Sequence, residues 1–447
     1  MDIIQGIIGM AGIIGIAWLL SNNRKNISWR LVGVGIGIQF IFAVFIMLGR
    51  QMGEFFAPLA WPLWMFDQLA NFFVLILDFT TEGAYFIFGN LAYGPAMDGS
   101  LGFFFAFQVL PTIVFFASIT TILYHYGVLQ AVVKFMAVGM QKLMGTSGAE
   151  SLSVAANIFV GQTESPLLIK PFIEKMTRSE LLTVMSGGMA TIAGGIMAAY
   201  VQILGDSYAI ANELSIEVGR QLFAQQLLAA SVMAAPAAIV IAKILYPEDD
   251  EPVTRGEVQM NVETPDKNGI DAASSGAAEG LKLALNVGAM LLAFVALIAL
   301  FNYFMGWFSD VTRLSTMFPD TDFTLQTILG WVFSPLALLI GIPWQDVGTV
   351  GSLLGIKIVL TEFLAFEGLS TLIADPDTTL DPKTIRMATF ALCGFANFAS
   401  IAIQIGGIGG IAPSRKSELA EFGIKAVIAG SLANLMTATI AGILFFG

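Results

Sequence analysis

The chain has 447 residues, 56% of them hydrophobic and only 12% charged, about half of the roughly 25% carried by soluble domains. That balance excludes a water-soluble globule, and uninterrupted apolar runs of about 18 to 25 residues, long enough to cross ~30 Å of hydrocarbon, exclude the short alternating strands of a barrel. The net charge of −12 comes with no basic patch for nucleic acid, and the single cysteine, Cys393, excludes an intramolecular disulfide or a Cys-based zinc site.

Apolar runs fall at about 3–20, 31–49, 103–124, 150–174, 180–204, 220–246, 281–306, 346–373, 385–411 and 419–446. The first has no Lys or Arg ahead of it and no small-residue cleavage site behind it, so it reads as a retained span. The runs 150–174 and 346–373 carry Glu near their centres, where an isolated carboxylate costs several kcal/mol unless it faces water or partners. Both read as re-entrant hairpins. Eight crossings, two hairpins and an outside N-terminus place fifteen of the 21 Lys and Arg side chains inside. Arg50, Arg220, Arg313, Lys383 and Arg386 stay outside, and Lys357 lies within the second hairpin. The first hairpin then enters from the inside and the second from the outside. The expected fold is an all-α polytopic membrane protein of eight transmembrane helices and two re-entrant helical hairpins in an inverted repeat, with interfacial helices.

Interfacial helices are expected at 128–145, where Gln130, Lys134 and Gln141 recur at helical spacing. They are also expected at 55–78 and 325–342, with Trp61, Trp64, Trp331 and Trp344 at headgroup depth. Residues 247–280, opening Pro247-Glu248-Asp249-Asp250-Glu251-Pro252, form an acidic linker between two halves that repeat weakly. The first half carries Gly161-Gln162-Thr163-Glu164, Thr177-Arg178 and Thr191-Ile192-Ala193-Gly194-Gly195. The second carries Leu360-Thr361-Glu362, Thr384-Ile385-Arg386 and Asn397-Phe398-Ala399-Ser400. Aligned on Arg178 and Arg386, Thr191 falls opposite Ala399. Inverted repeats with broken helices mark secondary transporters, with the site at the midplane where the breaks meet.

Asn157 to Pro166 packs five polar side chains into an apolar run, the composition of a hairpin tip lining a cavity, with polar glue between helices as the alternative. Glu362 is its counterpart in the second half; the alternative reading neutralises it with Lys357, five residues earlier. A carboxylate accepts the hydrogen bonds of vicinal hydroxyls and a Gln offers both donors and an acceptor, so a neutral, polyhydroxylated solute fits better than an anion. Thr191, and the pair Asn397 and Ser400 on one helical face, have helix packing as their plainer role. His125 reads as an interfacial residue and Cys393 as a packing residue. The Gly406-Gly407-Ile408-Gly409-Gly410 run follows no strand, so it reads as a place of close helix approach or a bend in the span and not a dinucleotide loop. No nucleophile and base lie near each other, so an enzyme is not expected.

Three motifs in order, Gly161-Gln162-Thr163-Glu164, Gly355-x-Lys357-x-x-x-Thr361-Glu362-Phe363 and Cys393-Gly394-Phe395-Ala396-Asn397-Phe398-Ala399-Ser400, resemble the concentrative nucleoside transporter family. The match spans most of the chain, and Thr361 stands where the family commonly has Asn. The resemblance implies an ion-coupled symporter of a bacterial inner membrane, working as a homotrimer by an elevator mechanism. Scaffold parts fall at 1–149 and 281–345 and the two repeats at 150–246 and 346–447. It implies that Gln162, Thr163 and Glu164 contact the nucleobase, that Glu362, Asn397 and Ser400 bind the ribose hydroxyls, and that Phe395 packs on the nucleoside. Sodium, the expected coupling ion, maps to the Asn157 side chain, the carbonyls of Val160, Thr191 and Ile192, and the Thr191 hydroxyl. Oxygen donors of that kind suit a hard cation. Pyrimidine nucleosides such as uridine are the expected cargo. Proton coupling and, more remotely, a passive channel are the alternatives.

Overall fold

The computed structural model describes residues 2–95, 97–256, 266–318 and 322–445, and among them every regular element is a helix. The principal ones are α1 (Asp2–Leu19), α2 (Trp29–Met47), α3 (Trp61–Phe88), α4 (Leu110–His125), α5 (Val128–Met144), α6 (Gly148–Ala156), α7 (Arg178–Ala190) and α8 (Gly194–Ala211). They continue with α9 (Ile216–Leu245), α10 (Gly269–Val311), α11 (Leu325–Ile340), α12 (Val347–Val359), α13 (Glu362–Ala374), α14 (Pro382–Leu392), α15 (Phe398–Ile411) and α16 (Lys416–Ile443). Seven helical stretches among the described residues are long and apolar enough to cross a bilayer, and Ile3–Leu19, Leu325–Ile340 and Phe398–Ile411 are shorter apolar helices.

Burial separates centre from rim. The apolar window of α9 is 94% buried and that of Arg178–Ala211 is 89%, against 11% for α10. A helix apolar on all sides belongs either inside a bundle or against lipid, and these two occupy the two environments. α1 lies against α16 and α11, and α2 against α9. The small residues before Leu281 do not form a loop: α10 already starts at Gly269, inside the stretch read as linker. Residues 257–265 of that linker lie outside the described residues. The reason is packing, because a Cβ at Gly276 would lie 2.7 Å from the Ala117 carbonyl and one at Gly280 2.8 Å from Ala117 Cβ. These glycines therefore let α10 press on α4.

α3 runs as one helix past the end expected at residue 78. In α5 the polar stripe is split: Gln130 and Gln141 are buried beside Leu129, Val133, Ala137 and Met140, while Lys134 is exposed together with Val132, Phe135 and Leu143. Gln130 Nε2 donates to the Tyr124 carbonyl at 2.6 Å, so it satisfies the end of α4.

The two repeats are built alike. Each begins with a short helix, a non-helical tip and a returning helical segment: α6, the tip around residues 157–164, then Ser165–Ile169 and Lys170–Ile173; and α12, the tip at residues 360–361, then α13. Each continues with a broken helix, α7 to α8 across residues 191–193 and α14 to α15 across residues 393–397. Thr177 and Asp381 are the N-caps of α7 and α14, so the caps and not Arg178 and Arg386 correspond. Thr191 then falls opposite Phe395, both within a break. The arginine alignment slipped because Arg178 opens its helix while Arg386 sits inside one.

Two capping boxes, Ser147 with Glu150 and Thr177 with Glu180, start α6 and α7, and Ser147 Oγ donates to Glu180. Lys243 Nζ, at the end of α9, lies 2.9 Å from Glu150 and 2.9 Å from Glu248 and donates to Ser179 Oγ at 3.0 Å. This buried network clamps the base of the first repeat. In the second repeat, α12 approaches α11 where a Cβ at Gly355 would lie 2.6 Å from Leu329 Cβ.

Candidate functional site

The tips and breaks of both repeats converge on a cavity of about 300 Å³, at the small end of the roughly 300–1,000 Å³ range of ligand pockets. Gln162, Thr163, Glu164, Glu362, Phe395, Asn397 and Ser400 all line it. The opposite wall is made by α4 and α10, through Ile113, Ala117, Leu283, Val287 and Leu291 among others, with Glu279 as its one carboxylate.

Local sequence explains how each polar group arrives there. Thr361 is the N-cap of α13 and its hydroxyl accepts from Leu364 N, so the residue standing where Asn is common keeps the capping function. Capping starts α13 at Glu362 and directs that carboxylate to the cavity. Asn397 caps α15 in the same way, its Oδ1 accepting from Ser400 N at 2.8 Å, which leaves its Nδ2 free to donate to Glu362 Oε2 at 2.7 Å. Tyr200, on α8, donates its hydroxyl to the other carboxylate oxygen at 2.8 Å. Glu362 is thus buried yet gripped on both oxygens, the condition under which a carboxylate is tolerated away from water.

On the first tip, Gln162 Nε2 donates to Ser400 Oγ at 3.1 Å and Gln162 Oε1 accepts from Gln404 Nε2 at 2.9 Å. Thr163 Oγ1 donates to Glu164 Oε1 at 3.1 Å. Gly161 leaves room for the glutamate to fold over the turn, since a Cβ there would lie 2.1 Å from Glu164 Oε2 and the carboxylate would have to swing aside. In the glycine-rich stretch of α15 close approach holds at two positions, where a Cβ at Gly407 would lie 2.7 Å from Thr163 Cγ2 and one at Gly409 2.6 Å from Lys416 Cγ, while Gly406 and Gly410 face open space.

The first break, which holds Thr191 and Ile192, adjoins the tip that holds Asn157 and Val160, since Gly194 N donates to the Phe159 carbonyl at 3.1 Å. Among the described residues the buried Asn157 Oδ1 has no hydrogen-bond partner, while its Nδ2 donates to the Ser153 carbonyl at 3.0 Å. Thr191 Oγ1 donates its hydrogen to the Gly187 carbonyl at 2.8 Å, leaving oxygen lone pairs exposed. The break also frees the Thr191 and Ile192 carbonyls, which, like that of Val160, accept no backbone N–H among the described residues. Open oxygens of this kind are what an unwound helix offers a hard cation.

Lys357 does not neutralise Glu362 by a direct bond. Its buried ammonium donates to the Ala391 carbonyl at 2.8 Å and to Asn434 Oδ1 at 2.7 Å. Sequence reasoning missed Tyr200, Gln404 and Asn434. Gln404 was within reach, because positions 397, 400 and 404 share one helical face. Tyr200 and Asn434 come from helices whose pairing with the site no local pattern announces. His125 ends α4 and Cys393 is buried, neither in the cavity.

Comparisons with known proteins agree with this architecture. Residues 8–91 match the family described as Na+ dependent nucleoside transporter N-terminus, residues 106–207 that described as nucleoside recognition, and residues 226–442 Na+ dependent nucleoside transporter C-terminus. An uncharacterized transporter of Haemophilus influenzae is 44% identical over 453 residues, covering 100% of this chain and 99% of that one. The nucleoside permease NupC of Helicobacter pylori is 38% identical over 446 residues, covering 99% and 97%. The structure of the transporter CNTnw in an inward-facing substrate-bound state superposes with a TM-score of 0.85 at 41% identity, covering 99% of both chains. A variant of it in an outward-facing state gives 0.84 at 40%, covering 99% of this chain and 98% of that one. Family models along most of the length, relatives well above 30% identity end to end and a shared fold have one common meaning: the chain belongs to the family of Na+-dependent, concentrative nucleoside transporters, and it is a multi-pass membrane transporter, not an enzyme.

Proposed function

We propose that this chain is a sodium-coupled symporter that imports nucleosides, pyrimidine nucleosides such as uridine in particular, across a bacterial inner membrane. The observation that carries the reading is the grip on Glu362. Tyr200 and Asn397 each hold one of its oxygens, and Glu362, Asn397 and Ser400 line the cavity together. A pair of vicinal hydroxyls is the partner such a carboxylate takes. Phe395 offers an apolar face beside it. Gln162, Thr163 and Glu164 present donor and acceptor groups to the polar edge of a base, and uracil and cytosine suit that set.

Sodium is the coupling ion of this reading because the unpartnered Asn157 Oδ1 adjoins the tip that carries Gln162 to Glu164. An ion held by Asn157, Thr191 and the carbonyls of Val160, Thr191 and Ile192 orders the tip, so the nucleoside meets a formed site and the inward sodium gradient drives uptake. Access alternates by an elevator movement of the two repeats, with their tips acting as re-entrant hairpins. The polar contacts assigned to the substrate all lie on the repeats, while α4 and α10 present a largely apolar wall against which they slide. The contact is bare on the moving side, where a Cβ at Gly194 would lie 3.0 Å from Phe116 Cε1. A homotrimer fits the same reading, since the long, 11%-buried α10 offers apolar surface to lipid and to neighbouring copies.

Uptake of labelled uridine into proteoliposomes under an imposed sodium or proton gradient tests this directly. Uphill, saturable uptake driven by sodium at constant pH supports it. Uptake that follows the proton gradient alone points to proton coupling, and non-saturable downhill flux to a channel.

A further inference from the structure

The two repeats treat their helix breaks differently. Around the first break the acceptors are open: Asn157 Oδ1 is buried without a partner among the described residues, and the carbonyls of Val160, Thr191 and Ile192 take no backbone donor. At the second, an ammonium group is already in place. Lys357 leaves the last turn of α12, four residues before Thr361, whereas Asn157 and Val160 belong to the first tip itself, ahead of Glu164. Its Nζ donates to the Ala391 carbonyl at the end of α14 and to Asn434 Oδ1 on α16. Asn434 passes the connection on, its Nδ2 donating at 2.7 Å to the Ala190 carbonyl at the end of α7. Gly394 closes the same knot: its φ is 134°, and a Cβ there would lie 2.6 Å from both the Ala190 carbonyl and Asn434 Oδ1.

The C-terminal end of a half-helix carries unpaired carbonyls and a partial negative charge. Two such ends, of α7 and α14, meet here inside the protein, where charge is poorly screened. We propose that Lys357 is a tethered cation, a positioning residue that does at the second break what a mobile ion does at the first. The second break is thereby permanently loaded, and the segment from Cys393 to Asn397, which presents Phe395 and Asn397 to the substrate, keeps its shape whether or not ions are bound. Only the first break waits for an ion from solution. This inference rests on the ion-coupled reading above and assigns that coupling to one repeat.

Removing the charge should open a second place that a cation must fill before substrate binds. In proteoliposomes, uridine uptake is measured against sodium concentration at fixed voltage, together with the charge moved per uridine. Lys357→Ala is expected to raise the half-saturating sodium concentration by about tenfold and to steepen the sodium curve by about one unit of Hill coefficient. It should also move one more charge per uridine than the native protein, while Lys357→Arg keeps the native slope and charge ratio. Asn434→Asp keeps the side-chain volume and sets a carboxylate against the ammonium, so it should raise the sodium requirement even where Lys357→Ala does not fold. A lysine that only braces the fold would lower the amount of active transporter and leave slope and charge ratio native. That result in Lys357→Ala, or a native sodium curve in Asn434→Asp, overturns the proposal. Native uptake indifferent to every cation gradient overturns the coupling reading itself, and the wild-type protein alone reveals it.

Discussion

Tyr200 donates its hydroxyl to Glu362 at 2.8 Å across 162 positions of chain, tying the broken helix of the first repeat to the tip of the second. The ring is held by its neighbours, with centroids 5.1 Å from Phe363 and 4.3 Å from Phe366. The carboxylate that lines the cavity is therefore held by both repeats, through Tyr200 of the first and Asn397 of the second. Tyr200→Phe keeps the aromatic packing and removes this bond, which for a charged acceptor is worth about 1.5–3 kcal/mol. Uridine affinity should fall roughly 10- to 150-fold with the sodium curve unchanged, read by calorimetric titration of the purified protein. Glu362→Gln removes the acceptor charge itself and should abolish measurable binding; wild-type-like uptake in that variant would rule out a ribose contact.

Asn157→Ala tests the ion site from the other side. It deletes a buried side-chain oxygen of the first tip that has no partner among the described residues, so sodium dependence should weaken, with the half-saturating concentration raised by about tenfold. Uridine affinity at saturating sodium should change far less. Sodium-dependence curves of initial uptake rates separate the two effects.

Gly407 and Thr163 form a steric pair. Gly407→Ala places a methyl 2.7 Å from Thr163 Cγ2, and overpacking of this kind costs about 1–3 kcal/mol. The tip should be displaced and uptake reduced several-fold with little loss of folded protein. Thr163→Ser removes the clashing methyl and keeps the hydroxyl, so the double variant should regain much of the activity.

Lys243 carries the base of the first repeat. Lys243→Met leaves Glu150 and Glu248 facing each other without their cation, and breaking a buried pair from one side costs about 3–5 kcal/mol. A lower unfolding midpoint in detergent is expected, with partial recovery when Glu150→Gln is added. An unchanged midpoint would mean that the network contributes no stability.

Legibility differed between the site's parts for identifiable reasons. Glu164 and Glu362 stand out in any reading because a carboxylate in an apolar run needs an explanation in its own right. Gln162 belongs to the polar tip, whereas Asn397 and Ser400 stand out through the family resemblance, since their spacing alone suits helix packing equally; the cavity holds all of them. Lys357 is conspicuous for the same reason as the glutamates, yet its partners, the Ala391 carbonyl and Asn434, are not legible, because sequence proximity to Glu362 says nothing about where a four-carbon stem delivers its ammonium. The stripe assigned to α5 splits by charge: the neutral Gln130 and Gln141 turn inward, while Lys134 stays exposed among apolar side chains.

The order of apolar runs, the intramembrane acids and the glycine-interrupted helices by themselves determine a helical membrane protein with two related halves and polar tips, since each follows from the cost of leaving polar groups in hydrocarbon. Only the tertiary structure decides which distant helices complete the site. Tyr200 reaches Glu362, Gln404 reaches Gln162, and Asn434 joins Lys357 to the Ala190 carbonyl. Those partners come from elements far apart in the chain, and hydrogen bonds between them depend on how whole helices cross, which no local spacing encodes.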